Sequence, residues 1–286
     1  MHLDVWRDLR SKGFPLPQGA DLESLTDELL AMLASPDGEV RDNIAYEALA
    51  TWVSGGRYDA GALRDLGDRM VDNLRRGLGE RTSDGVFLRA FSILILGEII
   101  ALDAKERLLA PGPIHAWTCE AIRYLRLERD ERGYVPGHGW AHASAHTADC
   151  LGAIAAHPET GVEGLLEILS AVADRILRPG AEVFIHDEDE RLAYACLAVL
   201  RRPEITFGDA DTWLHRFTRA EDGNGSRAAS DENSSARTRL NAKSFLRSLY
   251  FQLLWTQGVP SPGDALAAAV LRAVRATGTS LYGQKQ

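Results

Sequence analysis

At 286 residues the chain can form one elongated domain or two compact ones, and 45% hydrophobic with 26% charged residues is the balance of a soluble protein with a full core. The formal charge of −9 and pI near 5.4 argue against a nucleic-acid backbone as partner, because a phosphate-tracking surface needs excess Lys and Arg. They also give no support for docking on a membrane of anionic lipid.

The first residues, Met1-His2-Leu3-Asp4-Val5-Trp6-Arg7, carry charges where a signal peptide needs an apolar run. Cys119, Cys150 and Cys196 are dispersed, which fits a reducing compartment. A cytoplasmic protein is therefore expected. Further along, Ser35 or Asp37 can cap a helix, Pro36 suits its first turn, and Val40, Ile44, Ala48 and Leu49 mark one apolar face. Similar openings recur, from Asp84 into Val86–Phe91, from Asp187 into Arg191–Tyr194, and from Asn241 into Phe245–Tyr250. The longest apolar stretch, Phe91 to Leu102, is interrupted by Gly97 and Glu98 and is too short to span a bilayer. Second helices are predicted around 61–77, 114–128, 161–177, 209–219 and 263–277. Between the last of these pairs, Arg219 through Ala236 is polar and rich in Gly and Ser, so a flexible polar loop is expected at about 220–240.

Period-3.6 patterning recurs nearly everywhere and sustained period-two alternation nowhere, so the fold class is all-α. Aligning Tyr46, Phe91, His146, Tyr194 and Tyr250 gives separations of about 45, 55, 48 and 56 residues, near the length of a HEAT or armadillo unit. The expected architecture is a HEAT/armadillo-like α-α superhelix: a right-handed solenoid of about five helix pairs forming a single helical-repeat domain over 1–286, with a concave surface.

The densest chemistry lies in Gly137-His138-Gly139-Trp140-Ala141-His142-Ala143-Ser144-Ala145-His146-Thr147-Ala148-Asp149. If the segment is helical, at about 100° per residue, His142 and His146 lie roughly 40° apart with Asp149 about 20° from His142. Three readings of that face stay open. His142, His146 and Asp149 can bind a divalent transition metal, they can move protons in a catalytic or small-molecule site, or the histidines can fasten helices beside the small-residue face of Ala141, Ala145, Ala148 and Gly152. His138 is a fourth ligand or substrate contact, and Tyr134 and Trp140 shape the pocket. The glycine-rich approach 132–139 either offers backbone amides to an anion or simply turns sharply. One repeat on, Asp187, Asp189 or Glu190 could orient the histidines, their bland reading being a helix N-terminus. Arg41, Arg89, Arg191, Lys243 and Arg247 with Tyr46, Tyr194 and Tyr250 could line an inner stripe suited to an anionic ligand or acidic peptide, or form inter-repeat salt links.

Four blocks together resemble a bacterial family catalogued as domain of unknown function 2785. They are Arg41-Asp42-x-x-Ala45-Tyr46, Val86-Phe87-x-Arg89-x-Phe91-Ser92, Gly139-Trp140-Ala141-His142-Ala143-x-Ala145-His146-x-x-Asp149, and Asn241-Ala242-Lys243-x-Phe245 through Tyr250. The resemblance runs from about residue 20 to residue 255. It implies an all-α fold and singles out positions, and it carries no established activity. Function is thus expected to be either a scaffold binding a peptide, protein or small-molecule ligand, or an enzyme using His142, His146 and Asp149.

Overall fold

The computed structural model describes residues 1–219, 231–255 and 263–277. Among these residues the chain forms twelve α-helices, one π-helix and a two-stranded hairpin, so the all-α expectation holds. It divides into two compact units, residues 1–159 and 160–286.

In the first unit α1 (Leu3–Ser11) and α2 (Leu22–Met32) pack against the π-helix Glu39–Tyr46, which runs into α3 (Glu47–Ser54). Then come α4 (Ala60–Arg75), α5 (Gly85–Glu106), α6 (Pro111–Leu127), the hairpin of β1 (Tyr134–Val135) and β2 (Gly139–Trp140), and α7 (Ala143–Ala156). Helix starts follow local chemistry. The Asp21 carboxylate accepts from the backbone N–H of Ser24, the Asp59 carboxylate accepts from Ala62, and Pro111 opens α6 where no N–H is needed.

Helices α3, α5 and α7 run side by side and in the same direction. Tyr46 meets Phe91, Phe91 meets His146, Gly97 sits against Cys150, and Asp103 accepts from His157 Nε2 at 3.0 Å. The tautomer of that last pair is fixed, because His157 Nδ1 accepts the Glu159 N–H at 3.1 Å and leaves the proton on Nε2. A second row holds α4 and α6, joined by the Trp117 indole donating to Asp68 and by Arg75 on Glu120. Two glycines permit these approaches. A Cβ on Gly67 would come within 2.3 Å of the Trp117 ring, and one on Gly97 within 3.1 Å of Cys150 Cα.

Helix α5 is 22 residues long, longer than the apolar stretch expected from sequence, and by length and composition alone it could cross a membrane. Its apolar residues are instead buried against α3, α4 and α7, as a core helix requires.

The second unit contains α8 (Val162–Ile176), α9 (Glu188–Leu200), α10 (Phe207–Arg219), α11 (Asp231–Trp255) and α12 (Gly263–Ala276). Again alternate helices lie parallel. Asn241 on α11 bonds Phe184 N and Glu182 O ahead of α9, and Ser248 donates to Asp189 at 3.1 Å. In the other row the Trp213 indole donates to Leu169 O, and Arg216 reaches Ser170 and Asp174. Trp213, Phe217 and Phe245 join the two rows through ring contacts.

The expected second helices therefore correspond to α4, α6, α8, α10 and α12 within a few residues. The polar loop fails as drawn. Residues 220–230 lie outside the described set, but 231–240 form the first turns of α11. Low apolar content removes burial, not helix propensity, and Glu232, Ala236, Arg237 and Arg239 are good helix formers.

Candidate functional site

The site is built where the π-helix, α5 and the hairpin meet in the first unit. The expected helix does not reach His142. Its backbone is left-handed, φ 49° and ψ 31°, and α7 begins at Ala143, with the His146 N–H closing the first turn on the His142 carbonyl at 2.9 Å. The same device opens α9, where Asp187 is left-handed at φ 63° and Arg191 N–H closes on its carbonyl. His and Asp tolerate this conformation better than most residues. The corresponding residues are thus His142 with Asp187 and His146 with Arg191, not the alignment of His146 with Tyr194 expected from sequence.

Upstream, the glycine-rich segment is a hairpin rather than an anion cradle. Gly137 and Gly139 take φ of 80° and 81° to turn it, and the amides of Ala141 and His142 are spent on the carbonyls of Gly133 and Arg132. Its register sets Tyr134 opposite Trp140, which brings their side chains to one face. The rings meet edge to face, 5.1 Å between centroids, and both are exposed, Tyr134 at 51% and Trp140 at 38%.

From these two rings a continuous run leads inward. Trp140 stacks on His142 at 4.3 Å and 22°, His142 meets His146 edge-on at 5.7 Å, His146 meets Phe91 at 4.9 Å, and Phe91 meets Tyr46 at 6.0 Å. The Tyr46 hydroxyl ends the run by donating to Glu98 at 3.0 Å. Both histidines are nearly buried, and His146 Nδ1 donates to the Ala90 carbonyl at 3.1 Å. A carbonyl only accepts, so in the neutral ring Nε2 is the basic nitrogen. Asp149, one turn on, is half-buried, and burial, with a smaller contribution from the Asp149 charge, pushes the neighbouring Cys150 thiol well up. Among the described residues no three His, Cys, Asp or Glu side chains gather closely enough to hold a metal. The metal triad expected at His142, His146 and Asp149 assumed that all three shared a helix, and His142 does not.

Two arginines assigned to a ligand stripe are part of the wall instead. Arg41 is wholly buried, donating through Nη1 to Ser35 O at 2.8 Å and through Nη2 to the carbonyls of His138 at 2.8 Å and Trp140 at 3.3 Å. Its guanidinium lies 4.1 Å from the Phe87 ring centre. Asp42 Oδ1 approaches Arg41 Nε to 2.7 Å as an ion pair without hydrogen-bond alignment. Burial dominates for both partners, pulling the Arg41 guanidinium below its ordinary value and pushing the Asp42 carboxyl up. Arg89 is equally buried and forks onto Glu128 with contacts of 2.6 and 3.2 Å. Burial pulls its guanidinium down, but the Glu128 hydrogen bonds and charge prevail and the net direction is up. His138, half-buried, contacts the Pro36 carbonyl through Nδ1 and so helps to fix the hairpin.

The other expected site residues belong to the second unit. Asp187 and Glu190 are exposed, and Arg247 is exposed on α11. Half-buried Asp189 accepts from Ser248, with burial pushing its carboxyl up. The π-helix that carries Arg41, Asp42 and Tyr46 was missed by sequence reasoning, and nothing in Glu39–Tyr46 announces it beyond ordinary helix patterning. Such widened turns are rare and concentrate at functional sites.

Among the described residues the chain is an all-helical protein with one short hairpin. Residues 74–251 match the family described as a protein of unknown function (DUF2785), and the chain belongs to it. The match excludes Arg41 and Tyr46, so the expected reach back to about residue 20 is not met. Neither a curated protein nor a solved structure matches the chain.

Proposed function

We propose that the chain is a HEAT-like helical-repeat protein that binds a peptide or small ligand at the ledge formed by Tyr134, Trp140, His142 and His146. The observation that carries this reading is the unbroken run of rings from half-buried Tyr46 and buried Phe91 out to two exposed aromatic side chains. Large rings held rigid at a surface give contact area at little entropic cost, which is what recognition sites use. Parallel first helices and parallel second helices within each unit support the helical-repeat reading. Free thiols at Cys119, Cys150 and Cys196 support a cytoplasmic location.

The test is a fragment and peptide library screened by protein-observed NMR. Hits should weaken at least tenfold in Trp140→Ala while its melting curve stays close to that of the parent. Hits that map elsewhere and ignore Trp140→Ala would defeat the reading. One observation favours a second reading, an enzyme with His146 as general base: the Ala90 carbonyl fixes the His146 tautomer. A turnover in a hydrolase panel that is lost in His146→Gln, with folding retained, would support it.

A further inference from the structure

Resting on the binding reading above, we infer that the occupant of the Tyr134–Trp140 ledge is the arginine or lysine side chain of a basic peptide. Three observations converge. First, the two exposed rings stand at 75° to each other, so a side chain in their angle meets aromatic surface on two sides. Ring faces carry partial negative charge and attract guanidinium and ammonium groups, Trp most strongly. The protein already uses this contact inside the same wall, with Arg41 held 4.1 Å from the Phe87 ring centre and 4.9 Å from that of Phe91.

Second, charge is uneven along the chain. Residues 1–159 hold 17 Lys and Arg against 25 Asp and Glu, a formal −8 of the total −9. A field of that sign attracts cations and repels the acidic peptide that an arginine stripe would have suited. Several positive charges on one peptide collect more of it than a lone organic cation does.

Third, the two arginines in the wall beside the ledge are already paired with carboxylates. Arg41 is buried against Asp42, and Arg132 is held on Asp130 by contacts of 2.7 to 3.1 Å. Neither is available to recruit an anion or to oppose a cation. The partner's cationic head would sit against the Trp140 and Tyr134 faces, while His142, stacked behind Trp140, holds that ring in place.

The experiment uses the full chain and two fluorescein-labelled pentapeptides, Arg-Gly-Arg-Gly-Arg and its citrulline counterpart, followed by fluorescence anisotropy. Citrulline keeps the planar shape and removes the charge. The arginine peptide is expected to bind about tenfold more tightly than the citrulline one, to lose about tenfold in Trp140→Ala and in Tyr134→Ala, and to keep most of its affinity in Trp140→Phe. Equal binding of both peptides through Trp140 would overturn the inferred chemistry while leaving the ledge a binding site. Arginine-peptide binding that ignores Trp140→Ala would mean diffuse attraction to an acidic surface and would also overturn it. So would tetramethylammonium displacing the peptide at equal concentration, because the occupant would then be a small cation. Absence of binding by either peptide overturns the inference, whereas failure of the ledge itself shows only in the library screen described above.

Discussion

Arg41 shows how much one side chain can organise. Its donors satisfy carbonyls in two segments more than a hundred residues apart, Ser35 on one side and His138 and Trp140 on the other. Arg41→Met leaves those acceptors unpaired and strands the half-buried Asp42 charge, at an expected cost of about 3–5 kcal/mol. Urea unfolding measures it, and a loss below about 1 kcal/mol would show that the hairpin is held by something else. Asp189 gives a pH test. Burial raises its folded-state pKa above the unfolded value, so ionising it costs stability as pH rises through that range. Asp189→Asn keeps an acceptor for Ser248 without the charge. The variant should be the more stable at pH 7, by less than about 1 kcal/mol, and the advantage should vanish below pH ~3.5.

Between helices, two glycines decide how closely the rows approach. Gly67→Ala drives a methyl group into the Trp117 ring between α4 and α6, and overpacking of this kind costs about 1–3 kcal/mol or more. Its thermal midpoint should fall by several degrees, and an unchanged midpoint would mean that Trp117 turns aside freely. The element order was legible in the sequence because apolar residues at 3.6-residue spacing and Asp or Pro at helix starts act locally. Ala145, Ala148 and Gly152 were legible as a close-packing face for the same reason, and they are buried on α7 beside α5. The histidine geometry was not. Whether α7 starts before or after His142 depends on a left-handed residue and on a hairpin, and both are fixed by contacts with Arg41 and Asp42 that are remote in sequence. The arginines failed as ligand residues for a related reason: spacing places them on a face but cannot say that Glu128 or a carbonyl already occupies it.

Across the whole molecule, each unit repeats one plan, alternate helices parallel in two rows, and the first unit carries almost all of the net charge. The fold organises the run of rings from Tyr46 to Tyr134 and leaves its outer end exposed, and the proposed binding reading rests on that exposed end. If the exposed end only stabilised the fold, Tyr134→Ala with Trp140→Ala would cost as much as a core truncation, about 3–5 kcal/mol per ring. As surface rings they should cost well under half of that. The most direct measurement follows the indole N–H resonance of Trp140, assigned by its absence in Trp140→Phe, while the full chain is titrated with the arginine pentapeptide and the library hits. The account predicts a saturable shift of that resonance ahead of those of Trp6, Trp52, Trp117 and Trp213. A Trp140 resonance that stays still while ligands bind elsewhere would contradict it.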